Sequence, residues 1–149
     1  HGLPAGLGMA LARKITKKDG RVYVLMGDGE CQEGTTWESL LIASHRKLNN
    51  VTAIVDYNGI QGSGFNKDIL PINNFDKIIR ECGWHVETID GHDNEMITKA
   101  LKIRSDKPVF IIANTIKGKG VSFMENQPKW HANWPSPEYE NKAIEELSS

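Results

Sequence analysis

The chain has 149 residues, 39% of them hydrophobic and 25% charged, which is ordinary for a folded globular domain and argues against a disordered or fibrous segment. Its formal net charge of −1, from 18 basic and 19 acidic residues, gives no overall preference for nucleic acid or for an anionic membrane. No apolar run reaches the roughly 18 residues of a membrane-spanning helix. Because Cys31 and Cys82 form no Cys-x-x-Cys pair, we expect a cytoplasmic protein without zinc or disulfides.

Helices and strands are predicted to alternate along the chain. Apolar spacing and turn residues predict helices over 3–18, 37–49, 72–81, 93–104 and 136–147, and strands over 22–26, 51–55, 84–89 and 108–113. The strands are apolar runs, and 22–26 is typical of a strand buried on both faces. Asp93 is placed to cap the helix that it precedes. We therefore expect an α/β fold of three layers, α/β/α, around a mainly parallel sheet.

The domain organisation is expected to be simple. No repeat or boundary divides the chain, so residues 1–149 should form one domain, with 118–149 as a looser C-terminal arm. The sequence opens at His1, inside the Gly-rich stretch HGLPAGLG, with no secretory signal in front of it. We expect that a further segment of the same protein precedes it.

Two polar segments follow predicted strands, GDGECQEG at 27–34 and DYNGIQGSG at 56–64. In parallel sheets, ligands bind beyond the carboxyl ends of strands, where Asp28 and Asn58 would lie. Their carboxylate and amide oxygens suit Mg²⁺, and Gly27 and Gly29 would let backbone amides approach a phosphate. These residues predict a Mg²⁺-bridged diphosphate site. Gly-Asp-Gly alone is more typical of a plain strand-to-helix turn.

The wider sequence resembles the transketolase family. The similarity lies in GDGECQEGTTWESLLIASHRKLNNVTAIVDYNGIQ at 27–61, IDGHD at 89–93, TIKGKGVSFMEN at 115–126 and WHAN at 130–133. It covers nearly the whole chain and implies the pyrophosphate-binding domain, or the N-terminal subunit of a split transketolase, truncated at its N-terminus. It also implies thiamine diphosphate as cofactor, with Mg²⁺ (or Ca²⁺ or Mn²⁺).

The resemblance assigns roles to individual residues. Asp28, Asn58 and the Ile60 carbonyl would bind the cation. Backbone and side-chain groups near the diphosphate would come from Gly27, Gly29, Glu30, Ile60 and Lys117. His131 would move protons on the substrate, and Glu33 would pair with an acidic residue across a subunit contact, where close carboxylates share a proton.

Each of these residues also has a simpler interpretation. Lys117 could be a solvated loop lysine and His131 a surface histidine. Glu33 could complement the positive end of a helix. His92 fits turn chemistry, with a site role left open, and Cys31 lacks the cationic neighbour of a reactive thiol.

The sequence departs from the family at Gly62, where a larger side chain often touches the thiazole region. That departure bears on how the cofactor packs and leaves the cation site unaffected. Other positions have structural interpretations: Trp37 fits the core, His45 fits packing or capping on a helix, and Trp130 and Trp134 could anchor the loop around His131.

The resemblance implies transfer of a two-carbon ketol group between sugar phosphates. The family's activating glutamate lies on a separate pyrimidine-binding domain or subunit, so we expect a homodimer or heterotetramer and an inactive isolated chain. Two alternatives stay open. One is another thiamine diphosphate enzyme, such as a deoxyxylulose phosphate synthase or a split transketolase with another acceptor. The other is a non-catalytic homologue that serves as an interaction subunit.

Overall fold

The computed structural model describes residues 1–148 around a four-stranded parallel sheet. The strands are β1 (Val22–Gly27), β2 (Val51–Tyr57), β5 (His85–Asp90) and β6 (Val109–Asn114), and a separate antiparallel ribbon joins β3 (Ile60–Gln61) to β4 (Gly64–Phe65). The helices are α1 (Gly2–Ile15), α2 (Gly34–His45), α3 (Asn66–Ile69), α4 (Phe75–Glu81), α5 (Asn94–Leu101) and α6 (Pro137–Ser148). Single 3₁₀ turns lie at Glu30–Gln32 and Pro128–Trp130.

The strand order, β1-β2-β6-β5, determines which face each helix covers. The connections from β1 to β2 and from β2 to β5 run in one direction across the sheet, and the connection from β5 to β6 runs back. Because parallel crossovers are right-handed, α2 and α4 pack on one face and α5 on the other. Helix α1 joins α2 and α4 on the first face, and the three layers of the predicted α/β fold are confirmed.

Local signals predicted most element ends to within a few residues. Asp93 caps α5 as expected, since its carboxylate accepts the backbone N–H groups of Glu95 and Met96. Helix α1 ends at Ile15 rather than at residue 18 because Lys17 adopts a positive φ of 53°. Helix α4 begins three residues later than predicted because Asn74 also has a left-handed backbone, with φ of 54°.

The prediction that the first strand is buried on both faces is wrong. Val24 and Met26 point into the core beneath α1, but Leu25 and Tyr23 are 72% and 46% exposed. Strand β1 lies at the edge of the sheet, and on that side α5 covers mainly β5 and β6. An apolar run therefore predicted the strand correctly, while the uneven cover of the two faces decided which of its side chains were buried.

Candidate functional site

The carboxyl ends of β1, β2 and β6 lie side by side and form the floor of a cleft. The register pairs Gly27 with Asp56 and Tyr57 with Asn114, so the loops that follow the three strands start at the same edge. The cleft encloses about 810 Å³. Nine predicted site residues line it: Gly27, Asp28, Gly29, Glu30, Glu33, Asn58, Ile60, Lys117 and His131. The structure thus brings together residues that lie far apart in the sequence.

Asp28 ties the loop after β1 to the loop after β2. Its side chain is only 4% exposed, and Oδ2 accepts the backbone N–H of Gly59 at 2.5 Å. The Asp28 carbonyl also accepts the N–H of Cys31, which starts the 3₁₀ turn. A carboxylate held this firmly in a shielded position is suited to a cation, because little conformational freedom remains to be lost when the cation binds.

Asn58 is oriented by hydrogen bonds on both ends of its amide. Its Oδ1 accepts the N–H of Ile60 at 3.0 Å, and its Nδ2 donates to Asp56 Oδ2 at 3.2 Å. The other Asp56 oxygen accepts a short hydrogen bond from the Thr115 hydroxyl. Asp56 and Thr115 are supporting residues that the sequence analysis did not assign. A carboxylate inside an otherwise apolar strand was the signal for Asp56.

The donor set fits a hard divalent cation next to a diphosphate. Residues 1–148 contain no cluster of three or more His, Cys, Asp or Glu side chains that could hold a metal, so a site here must combine Asp28 with amide and carbonyl oxygens. Asn58 and the Ile60 carbonyl are such oxygens on the same cleft. A Cβ placed on Gly27 would meet no atom within 4 Å, so its backbone borders open space where an anion can approach.

Glu30 and Glu33 face the start of α1. Glu30 accepts the Gly2 N–H at 3.0 Å, and a Glu33 oxygen lies 3.3 Å from the His1 Nδ1. Glu33 also immediately precedes α2, where a carboxylate complements the helix dipole. Both acids therefore have structural contacts as well as a position on the cleft.

His131 and Lys117 approach the cleft from the C-terminal segment. The backbone N–H of His131 bonds to Pro128, and its ring lies 3.8 Å from the position of a Cβ on Gly62. The departure at Gly62 thus leaves room beside His131. The His92 N–H donates to Asp90 Oδ1 at 2.8 Å, which is the expected turn chemistry. Its Nε2 also accepts the N–H of Ile116 at 2.8 Å, a long-range contact that fixes the residue before Lys117.

The segment that carries His131 is held in place by contacts among residues 122–146. Trp130 donates its Nε1 hydrogen to the Phe123 carbonyl and packs edge-on against Phe123 and Tyr139. The Ser122 N–H and the Ser122 hydroxyl both donate to the Glu146 carboxylate on α6. These bonds lower the pKa of Glu146, and the backbone bond has the larger effect. Trp130 is therefore an anchor for this loop, whereas Trp134 is 91% exposed and is not.

Cys31 lies beneath the cleft and is chemically quiet. Burial, with smaller contributions from Asp28 and Glu30, raises the pKa of its thiol to about 12. Burial, followed by the charge of Asp28, also raises the pKa of Tyr57. No cation lowers this pKa, in line with the expectation that Cys31 lacks the cationic neighbour of a reactive thiol.

Comparisons with known proteins show the family of the chain. The profile of the family "Transketolase, thiamine diphosphate binding domain" matches residues 8–142. The chain is 41% identical to a subunit of the apulose-4-phosphate transketolase of Actinobacillus succinogenes, covering 99% of this chain and 54% of that protein. It is 37% identical to human transketolase, covering 100% of this chain and 24% of that protein.

The structural comparison gives the same result. A crystal structure of transketolase from Campylobacter jejuni superposes with a TM-score of 0.93 at 33% identity, covering 99% of this chain and 24% of that one. The chain spans about half the length of the apulose-4-phosphate transketolase subunits that it matches. None of the helices within residues 1–148 has the length and apolar character needed to cross a membrane.

Proposed function

The chain belongs to the family of transketolase thiamine diphosphate-binding domains, and we propose that it forms the diphosphate-binding half of a transketolase-like enzyme. Such an enzyme transfers a two-carbon ketol group between sugar phosphates. One observation carries the proposal: a single cleft gathers Asp28, Asn58, Lys117 and His131 at the carboxyl edge of the sheet. Ligands of parallel α/β domains bind at this edge.

In this proposal Asp28, Asn58 and the Ile60 carbonyl hold Mg²⁺, or Ca²⁺ or Mn²⁺ in its place. The Gly59 N–H fixes the Asp28 carboxylate, and Asp56 fixes the Asn58 amide, so two ligands are oriented before the cation arrives. Ligands held by such outer contacts bind metal more tightly than free ones, typically by about 10- to 100-fold.

The diphosphate would lie along the backbone of Gly27 and Gly29, with Lys117 supplying positive charge. A side chain on Gly29 would force Gln61 to shift, because a Cβ there would lie 2.9 Å from the Gln61 Cβ. Glu30 would shape this end of the cleft through its bond to Gly2. A lysine and exposed backbone N–H groups together form a site for a doubly charged anion.

The bound cofactor supplies the covalent chemistry of ketol transfer. His131 would give or take the proton of a substrate hydroxyl, since it lines the open side of the cleft beyond Gly62. Glu33 would lie at a subunit contact and share a proton with an acidic residue of the neighbouring chain. We expect both roles in the cytoplasmic holoenzyme.

The proposed enzyme needs a second part. The activating glutamate of the cofactor ring would come from a pyrimidine-binding domain or subunit, within a homodimer or a heterotetramer, and the 149-residue chain alone would be inactive. Three relatives are named as transketolase subunits, two for apulose-4-phosphate and one, SqwG, for 6-deoxy-6-sulfo-D-fructose. Their names favour a split enzyme as the second candidate.

Titration calorimetry with thiamine diphosphate, with and without Mg²⁺, tests the proposal. Asp28→Asn removes the charge and keeps an oxygen for the Gly59 N–H, so it separates cation binding from loop structure. We expect Mg²⁺-dependent binding that weakens at least about tenfold, or 1.4 kcal/mol, in Asp28→Asn. Asp76→Asn, a matched change on α4 away from the cleft, should bind as the parent does.

Activity is then measured with the full-length protein and its pyrimidine-binding partner. Mg²⁺-dependent binding together with ketol transfer supports the enzyme. The proposed site is contradicted if the complete assembly binds the cofactor equally well with and without Mg²⁺ and with and without Asp28→Asn. Absence of any cofactor binding by that assembly favours the non-catalytic homologue instead.

A further inference from the structure

A second cleft lies at the opposite, amino edge of the sheet and is strongly basic. It encloses about 680 Å³ where β1 and β2 begin and where the segment after α5 passes by. We call it the basic cleft. Its cationic lining residues are Arg13, Lys14, Lys17, Lys18, Arg21 and Arg104. Asp19 is the one acidic residue of this lining, so positive charge is concentrated here in a chain whose net charge is −1.

The walls of the basic cleft are fixed by bonds from cations to backbone carbonyls. The Lys14 Nζ donates to the carbonyls of Arg46 and Lys47, at 2.7 and 2.9 Å, and so closes the end of α2. Arg13 donates to the backbone carbonyl of Asp19 at 2.6 Å. These contacts hold α1, the turn after it and the end of α2 together, and they place the remaining cations.

The positive charge is not neutralised within the chain. No ion pair among residues 1–148 joins any of the six cations to a carboxylate. The ammonium groups of Lys17 and Lys18 make no hydrogen bond within the same residues. Like charges that share a cleft repel each other, and an anion between them removes that repulsion.

Arg21 and Arg104 form the most constrained part of the basic cleft. Arg21 Nη1 donates to the Thr52 hydroxyl at 3.0 Å, and Arg104 Nη1 donates to the carbonyl of Ile103 at 2.9 Å. Both arginines line the basic cleft, and burial, followed by the positive charge of Arg104, lowers the pKa of Arg21. Each guanidinium has five N–H donors, so most remain available for a planar, bidentate contact with an anion.

We propose that the basic cleft is a second ligand site, which binds a small compound carrying several phosphate charges. Paired arginines suit phosphate oxygens, and the volume lies within the range of small-molecule pockets, roughly 300–1,000 Å³. The strands between the two edges are 6 or 7 residues long, about 20 Å at 3.3 Å per residue. The ligand would therefore bind separately from the thiamine diphosphate cleft, and without a divalent cation.

The test is a calorimetric titration of the full-length protein with inorganic tripolyphosphate, carried out in EDTA. We expect saturable binding at one site. The double variant Lys18→Gln with Arg104→Gln should weaken it at least tenfold, because both residues line the basic cleft. Lys77→Gln with Arg80→Gln removes the same charge from α4 and should change the affinity less than twofold, as should Asp28→Asn.

A second pair of variants guards against misfolding. Lys17→Gln with Lys18→Gln alters two exposed side chains after the end of α1, so the fold should persist and binding should still weaken. Absence of saturable binding would overturn the proposal. So would an equal loss in the α4 pair, which indicates a general charge effect, or a clear change of affinity in Asp28→Asn, which indicates the other cleft, where loss of the carboxylate removes repulsion of the anion.

A nucleic acid is the rival ligand, and competition separates it from a small phosphate compound. A 20-nucleotide single-stranded RNA should displace tripolyphosphate weakly, because a cleft of this volume holds only a few phosphates. The small-ligand proposal would be overturned if the RNA displaced tripolyphosphate when the RNA was 100-fold less concentrated than the free tripolyphosphate. An RNA affinity that rose with oligonucleotide length would support the same conclusion.

Discussion

The two faces of the sheet are built from the same apolar strands but are covered very differently. On one face α1, α2 and α4 enclose a continuous core that includes Trp84 and Phe110. On the other, α5 packs over β5 and β6, while Leu25 on the edge strand β1 is 72% exposed. An apolar strand therefore has side chains that can be buried on either face, but its sequence does not determine which face is covered. Helices supplied by distant connections decide which of them are buried.

Truncating the covered face should have the largest effect. Trp84 is fully enclosed, packs edge-on against Phe110 at 5.8 Å, and donates its Nε1 hydrogen to the Leu40 carbonyl. Trp84→Ala should lower the free energy of unfolding by about 3–5 kcal/mol, because it leaves a large cavity and removes a buried hydrogen bond. Urea denaturation measures this. A loss below about 1 kcal/mol would show that this face is not the main core.

A pair of glycines on α1 tests the packing of the covered face more finely. A Cβ on Gly6 would clash with Val24 of β1, whereas a Cβ on Gly8 would meet no atom within 4 Å. Gly6→Ala should therefore destabilise the fold by about 1–3 kcal/mol through overpacking. Gly8→Ala should stabilise it by about 0.5–1 kcal/mol, since glycine is a poor helix former. Thermal unfolding of both variants gives the sign, and equal signs would contradict the contact.

The attachment of α5 can be weakened without touching its core contacts. Asp93 caps the helix by accepting the N–H groups of Glu95 and Met96, at 2.8 and 3.0 Å. Asp93→Ala should cost about 1 kcal/mol of stability, and Asp93→Ser should restore most of it because a hydroxyl also accepts this bond. Hydrogen exchange should rise first in α5. Uniform exchange across both faces would show that α5 does not unfold as a separate unit.

Polar substitution of the open face should have the smallest effect on stability. Leu25→Thr should change the free energy of unfolding of the 149-residue chain by no more than about 0.5 kcal/mol, because this side chain already faces solvent. Val24→Thr, one residue earlier on the covered face, should cost about 1–3 kcal/mol by burying a hydroxyl. Similar losses in chemical denaturation of both would mean that the two faces are equally covered.

Both cysteines lie on the covered face, at different depths, and they should differ in reactivity. The raised pKa of about 12 keeps the buried Cys31 thiol protonated at neutral pH, whereas Cys82 is partly exposed. Iodoacetamide at pH 8 should therefore alkylate Cys82 at least about tenfold faster than Cys31, as read by peptide mass spectrometry. Because the folded pKa of Cys31 lies above the ordinary thiol value of 9.0, its contribution to stability is present below pH 9 and is lost as pH rises towards 12.

Much of the carboxyl-edge cleft was predictable because its residues follow strands directly. Asp28 and Asn58 stand one position beyond β1 and β2, and parallel pairing brings such positions together. Asp56 and Thr115, which orient Asn58, escaped prediction because their hydrogen bond joins residues 59 positions apart. The contact between Gly62 and His131 escaped it for the same reason.

The basic cleft was only partly predictable from the sequence. Five of its six cations lie within residues 13–21, where five of nine residues are basic. Net charge gave no warning, because acidic residues elsewhere balance the total at −1. The tertiary structure decided that residues 49–50 and Arg104 join this segment, since the starts of β1 and β2 lie at one edge of the sheet.

Local residue patterns were enough to predict the alternation of helices and strands, the cap at Asp93 and the positions of the loops that follow each strand. These features depend on residues within a few positions of one another. Which face each helix covers depends instead on long-range packing. Because the chain moves across the sheet one way from β1 through β2 to β5 and returns to β6, right-handed crossovers place α2 and α4 opposite α5. That reversal places α5 over β5 and β6, away from Leu25 on the edge strand β1.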